Sequence, residues 1–253
     1  MAVVSNPKEF QRYCLERKSL GKTIGFIPTM GALHKGHLEL VKKSLAENDL
    51  TTVSIFVNPT QFDQESDLNS YPNLIENDLN ALSEHGVDLV FTPTAPEMYF
   101  DNFNYKISES ELSRNLCGAH RLGHFEGVLT VVLKLLNLAQ ATKAYFGEKD
   151  YQQYLLIKKM CEAFFIPTEI VPVATVREAD GLALSSRNLL LGKEERNLAP
   201  KLFETISEAK TKQDAIVKLE ELGFKVDYVE DVFDRRFVAA RLGEVRLIDN
   251  VQL

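Results

Sequence analysis

The apolar positions of this chain change their spacing at regular intervals. TIGFIPT (23–29), TVSIFVN (52–58) and VDLVFTP (87–93) are short runs rich in β-branched and aromatic residues. TVSIFVN is almost continuously apolar, the pattern of a strand buried on both faces. Between these runs the spacing becomes helical. Leu38, Val41 and Leu45 share one face of GHLELVKKSLAE (36–47), and a second helix is predicted near 73–85. HFEGVLTVVLKLLNLAQ (124–140) reads as a largely buried helix, and KAYFGEKD (143–150) as a strand followed by a turn. A helix over 150–164 and a strand within IPTEIVPV (166–173) complete the series. Strands alternating with helices imply βαβ units and a parallel sheet, hence an α/β fold.

The texture changes beyond Arg177. KEERNLAPKLFETISEAKTKQDAIVKLEELG is charged and helical, while FKVDYVEDVF and EVRLIDNVQL supply short strands with little alternation between them. This places a domain boundary near 175–176: residues 1–175 form the α/β domain, and 176–253 a smaller α+β domain. A length of 253 residues fits one to two domains, at roughly 150 residues each. The net charge of −7 argues against a dedicated nucleic-acid binder, whose cationic surface would displace phosphate counterions. It leaves room for a local basic pocket that takes a small phosphorylated ligand. The longest apolar stretch is interrupted by Lys134 and Asn137, too soon for a membrane span. The start, MAVVSNPKEFQRY, lacks the basic and apolar regions of a signal peptide. Cys14, Cys117 and Cys161 are far apart with no metal-ligand spacing, and read as reduced thiols of a cytoplasmic protein.

Parallel sheets bind ligands beyond the carboxyl ends of their strands, so the residues that follow each strand are the candidates. After the first strand come Met30-Gly31-Ala32-Leu33-His34-Lys35-Gly36-His37. Gly31 lets backbone approach a ligand closely. His34 and His37 share a face at a helix start, where free N–H groups favour anions. The same residues also fit a plain strand–turn–helix corner with histidines that cap or face solvent. Asn58-Pro59 signals a turn, and Gln61 offers both donor and acceptor groups. Gly147-Glu148-Lys149-Asp150 presents a lysine that could neutralise a phosphate, or else a charged turn with Asp150 as a helix cap. Leu184-Ser185-Ser186-Arg187-Asn188 makes a phosphate clamp, or a segment whose Ser186 or Asn188 caps the helix beginning near Lys193. All four fall where the ligand loops of one sheet belong, and together they point to a nucleotide site.

PTMGALHKGH, SIFVNPTQF, HFEGVLTVVLKLLN, YFGEKDYQQ, TVREADGLALSSRN and RLGEVRLIDN resemble the signature segments of the pantoate–β-alanine ligase (pantothenate synthetase) family, in that family's order. The resemblance implies a Rossmann-like parallel domain with a smaller C-terminal lid domain, and a homodimer. It implies ATP-dependent condensation of (R)-pantoate with β-alanine through a pantoyl adenylate, releasing AMP and pyrophosphate. It puts ATP against Met30 through His37, Gly147 through Asp150, Val176, and Leu184 through Arg187. His34, His37 and Lys149 take the catalytic roles. Gln61 and Gln153 contact pantoate, and Gln61 also contacts β-alanine. Arg121 resembles a basic residue at the mouth of the site. Asn77 and Asp78 stand where members often carry an acidic pair, so Mg²⁺ is expected to arrive on the ATP phosphates, with no metal held by the protein. VEDVFDRRFVAARLG lacks part of the family's usual loop. The alternatives are another HxGH nucleotidyltransferase, which would place more basic residues in its acceptor pocket, and a regulatory nucleotide binder. Retention of both histidines with Lys149 speaks against the latter.

Overall fold

The run at residues 23–29 becomes the central strand of a parallel sheet. The computed structural model describes residues 1–63 and 65–253, with Ser66 described by its backbone alone. Among the described residues, the strands of this sheet are β1 (Ala2–Val4), β2 (Ile24–Thr29), β3 (Leu50–Ile55), β4 (Leu89–Phe91), β5 (Lys143–Gly147) and β6 (Glu169–Val173). Their order is β1-β4-β3-β2-β5-β6, and every pairing is parallel. Five of these strands coincide with the predicted runs. The edge strand β1 was not anticipated, because three residues are too few to show a period.

The alternation of side chains along the strands divides the core. Ile24, Phe26, Leu89 and Phe91 face helices 7–19 and 124–139, together with Phe10, Leu129 and Leu136. Ile27, Val53, Val90 and Tyr145 face helices 35–47 and 75–84, meeting Leu40, Val41 and Leu82. Helices on both faces explain why the strands read as nearly continuous apolar runs.

The chain leaves β2 toward β3 and β4 on one side and returns at β5 on the other, which makes β2/β5 the switch point of the sheet. The ladder between these two strands pairs only Gly25 with Lys143 and Phe26 with Ala144. Backbone parity gives the reason. The carbonyls of Thr23 and Thr29 accept from Leu50 and Phe56 on the β3 side, whereas that of Ile24 accepts from Thr142 on the β5 side. Pro28 shares the parity of Ile24 and has no N–H to give. The ladder ends before it, and the carboxyl ends of β2 and β5 are left unzipped.

Beyond residue 182 a second hydrophobic core gathers Leu202, Ile206, Leu219, Phe224, Val238 and Leu247. Helices 201–208 and 212–221 pack on an antiparallel sheet of β7 (Lys225–Val232), β8 (Arg235–Leu242) and β9 (Val245–Gln252). The central strand β8 lies in VEDVFDRRFVAARLG, between the two strands expected from the sequence. Phe233 and Asp234, at φ +54° and +55°, turn the chain from β7 to β8 in two residues, the tight geometry that suits twisted hairpins.

Helix 124–139 is buried on most sides, as its composition predicted. At Gly127 it touches the backbone of the turn Pro59–Gln61, and a Cβ there would fall on the carbonyl of Thr60 and the nitrogen of Gln61. Gly127→Ala is therefore expected to force helix and turn apart, with an overpacking cost of about 1–3 kcal/mol. Equilibrium denaturant unfolding checks this, and an unchanged midpoint would show that the turn yields freely.

Candidate active site

The unzipped ends of β2 and β5 open into a cavity of about 760 Å³. The first wall follows β2. Gly31 and Ala32 take left-handed backbone, at φ +83° and +49°, and so turn the chain sharply out of the strand. Asp78, 3% exposed, accepts from the N–H of Ala32 (2.8 Å) and of Leu33 (2.7 Å), one carboxylate oxygen for each. Thr29 Oγ1 accepts from Gly31 N–H at 3.2 Å. A side chain at Gly31 would press on Asp78 as well as strain the backbone. Asp78 thus braces the loop, with both oxygens directed at backbone N–H groups. Among the described residues no group of three or more His, Cys, Asp or Glu gathers to hold a metal.

The braced loop delivers His34 to the N-cap of helix 35–47 and His37 to its first turn, with ring centroids 4.0 Å apart. His34 N–H donates to His37 Nδ1 at 3.3 Å. That contact needs Nδ1 bare, which leaves Nε2 of the neutral ring as the N–H donor. Burial, then the proximity of His34 and Lys149, pushes His37 down to about 3. Burial and Lys149 bring His34 to about 4, against the opposing pull of Asp150. Both rings are therefore neutral near pH 7, and what they can offer an anion is an N–H dipole. Neither is the solvent-facing histidine of the corner reading.

The second wall follows β5. Lys149, 18% exposed, lies within 3.8 Å of Asp150. Asp150 occupies the cap position of helix 151–163, yet its side chain makes no capping hydrogen bond. Gln153 and Gln152 both border the cavity, and the buried Gln152 is also bonded to Cys117 N–H and to the carbonyls of Leu112 and Asn115.

The acceptor side is organised around Gln61, held in the turn after β3. Asn58 Nδ2 donates to Gln61 Oε1 (3.0 Å), and Gln61 Nε2 lies 3.1 Å from Met30 Sδ. Asn58 is 1% exposed and also binds Tyr99 and Gly127, so it is more than the turn former that Asn-Pro suggested. The Gln61 carbonyl accepts from His124 Nδ1 (2.8 Å) and Arg121 Nη2 (3.3 Å). His124 Nε2 then faces Arg121 Nη1 at 3.0 Å, and a guanidinium can only donate, so this ring too is neutral. Burial and Arg121 push His124 down to about 3, although the Gln61 carbonyl pulls the other way.

Ser185 Oγ accepts from Arg187 N–H at 3.3 Å and caps its own short turn. Helix 193–198 begins at Gly192, so neither Ser186 nor Asn188 serves as its cap. Arg187 meets Asp67 at 2.8 Å, Arg121 lies 4.0 Å from the same carboxylate oxygen, and Tyr71 meets Ser186 at 3.2 Å. Met30, His34, Gly36, His37, Gln61, Arg121, Gly147, Lys149, Asp150, Gln153, Val176 and Leu184 through Arg187 all border the one cavity. Gly31, Ala32, Leu33, Lys35 and Glu148 do not border it, and Glu148 turns instead toward Arg235 at 3.1 Å. Sequence reading gave no role to Asp67, Tyr71 or His124, whose partners are remote in the chain.

The three neutral histidines set a sign for stability against pH. Each has a folded value below its unfolded one near 6.5, so the unfolded chain binds more protons between those values. Their contribution is fully present above about pH 6.5 and is lost as pH falls toward the folded values. His124→Gln is expected to flatten the decline between about pH 6 and 4.5 by about 1.4 kcal/mol per pH unit. Denaturant unfolding across that range tests this, and an unaltered slope would mean that His124 is protonated in the fold.

A family model described as pantoate-beta-alanine ligase matches residues 2–252. A Bdellovibrio bacteriovorus protein named pantothenate synthetase is 57% identical over 251 residues, covering 99% of both chains. One from Legionella pneumophila (strain Corby), with the same name, is 44% identical over 255 residues and covers 100% of each. The crystal structure of a Francisella tularensis pantoate-β-alanine ligase, complexed with beta-gamma ATP and β-alanine, matches with a TM-score of 0.94 at 42% identity. That match covers 100% of this chain and 97% of the other. With its full length matched and its site assembled at the switch point, this chain belongs to the pantoate-β-alanine ligase family.

Proposed function

We propose that the protein condenses (R)-pantoate with β-alanine, using ATP, to form pantothenate. The observation that carries this reading is the convergence of His34, His37, Lys149 and Arg187 with Gln61 and Gln153 around one cavity. The first group suits a triphosphate and the second a hydroxy acid. In the first step a pantoate carboxylate oxygen attacks the α-phosphorus, the bond to the bridging oxygen breaks, and pyrophosphate leaves. In the second the amine of β-alanine attacks the acyl carbon, loses a proton and expels AMP. Neither step needs a covalent nucleophile from the protein. Both need alignment, and the first needs donors where pyrophosphate charge develops.

His37 Nε2–H and His34 are assigned to the phosphates. Lys149, Ser185, Ser186 and Arg187 are assigned to the departing pyrophosphate. Gln61 and Gln153 orient pantoate, and Gln61 also meets β-alanine. Met30 through His37, Gly147 through Asp150, Val176 and Leu184 complete the ATP contacts, those that do not border the cavity acting through the loop they shape. Mg²⁺ is carried mainly by the ATP phosphates, whose charge it neutralises. The engagement of both Asp78 oxygens with backbone N–H groups supports that assignment. Residues 1–175 form the substrate-binding domain and 176–253 its lid. The enzyme works as a cytoplasmic homodimer; no helix among the described residues is long and apolar enough to cross a membrane.

With ATP, Mg²⁺ and pantoate but no β-alanine, labelled pyrophosphate is expected to exchange into ATP. Exchange that ignores pantoate, or that needs a phosphorylated acceptor, would favour another nucleotidyltransferase chemistry. His37→Ala is expected to lower turnover by roughly 10²–10³, the usual cost of one such donor. Lys149→Ala and Arg187→Ala should slow this exchange more than transfer from preformed pantoyl adenylate. Equal loss in both half-reactions would assign the two cations to the acyl group or to the fold.

A further inference from the structure

The segment RLGEVRLIDN ends in Asp249 and Asn250, two polar residues each 3% exposed on β9. Neither has a part in the chemistry above. Asn250 Nδ2 donates to the carbonyls of Glu148 (2.9 Å) and Lys149 (3.1 Å). Its Oδ1 accepts from Arg235 Nη1 at 2.8 Å. Because a guanidinium only donates, that bond fixes which end of the amide faces the carbonyls. Arg235 also reaches Glu148 Oε1 through Nη2 (3.1 Å) and lies over the Tyr151 ring, 4.1 Å from its centroid. The turn that carries Lys149 is thus gripped by backbone, by the Glu148 side chain and by the next ring, all from the antiparallel sheet.

Asp249 closes the circuit. It takes a two-pronged pair from Arg177 at 2.6 and 2.9 Å, and accepts from Asn250 N–H at 2.8 Å. Arg177 Nη1 also donates to the Gly181 carbonyl at 3.1 Å, in the stretch that leads to Ser185. One pair of adjacent residues therefore ties both phosphate-side segments to the second sheet.

We propose that Asn250, held by Arg235, is a positioning residue for Lys149, so that adenylation depends on the antiparallel sheet being seated against the β5 turn. The proposal rests on the assignment of Lys149 to the pyrophosphate. Freed of Asn250, the turn loses the side-chain donor shared by the Glu148 and Lys149 carbonyls and can swing, and a displacement of about an ångström at a charged group costs up to about 10²-fold in rate. A residue that merely held the domains together would slow both half-reactions alike.

The decisive variant is Asn250→Asp, nearly isosteric, which keeps an acceptor for Arg235 but turns an oxygen toward the Glu148 and Lys149 carbonyls. Pyrophosphate exchange is expected to fall about 10–100-fold in rate, with a smaller change in the KM for ATP. Transfer of the acyl group from preformed adenylate should stay near the parent rate. In the Lys149→Ala background the same change should lower exchange by less than about 2-fold further, because the two act as one unit. Full additivity with Lys149→Ala, equal loss in both half-reactions, or parent-like exchange would each overturn the proposal. If Asn250→Asp does not fold, Arg235→Lys supplies the same comparison, since it keeps the charge but cannot span Asn250 and Glu148 together. Normal exchange in Lys149→Ala alone would remove the assignment of Lys149 itself, an outcome separate from failure of the Asn250 proposal.

Discussion

Two neighbouring parallel strands, β2 and β5, share a ladder only at their amino ends, and the site exists because of it. Pro28 withholds the N–H that would carry the ladder onward on the β5 side. The separation opens at the switch point of the sheet, where the loops after β2 and β5 both begin. Each loop then needs support that a ladder would otherwise give. The loop after β2 receives it from Asp78, on helix 75–84, and the turn after β5 receives it from Asn250 and Arg235 on the second sheet. The fold thus keeps the crevice open with groups from outside it.

Desolvation is the second organising effect. His34 and His37, half-buried at the cavity, and the buried His124 lie near cations, so desolvation first and then charge hold each ring neutral with a value well below its usual range. For His37 the bond from His34 N–H selects the tautomer, and for His124 the Arg121 guanidinium does so. Fixed N–H dipoles of this kind would stabilise developing negative charge without reorganising at the moment of reaction. The permanent positive charge comes from Lys149, Arg121 and Arg187, of which the two arginines are balanced by Asp63 and Asp67. Charge and dipole are thereby given to different residues.

The acceptor side shows how much a single carbonyl can organise. Gln61 is fixed at its amide by Asn58 and at its carbonyl by His124 and Arg121. Gly127 lets helix 124–139 come close enough for all of these contacts. A helix read from composition as core is therefore also one wall of the site, through Val128, Val131, Val132 and Leu135.

Legible in the linear chain were the alternation of strand and helix, the loops that border the cavity, and the spacing that puts His34 and His37 on one turn. These are local properties: periodicity, turn chemistry and neighbour spacing survive in a linear reading. The same reading had no task for Gln152, whose partners Leu112, Asn115 and Cys117 lie 35 to 40 residues earlier. It treated Asp78 as part of a metal question, whereas the fold turns its carboxylate onto backbone 45 and 46 residues away. It missed β8 as a separate strand, since the two-residue turn at Phe233-Asp234 has none of the glycine or asparagine that usually marks one. It left Asp249 and Asn250 without a task, because their partners lie 72 and about a hundred residues earlier. Hydrogen-bond partners so remote in the chain become neighbours only when the two sheets close on each other, and no local pattern records that closure.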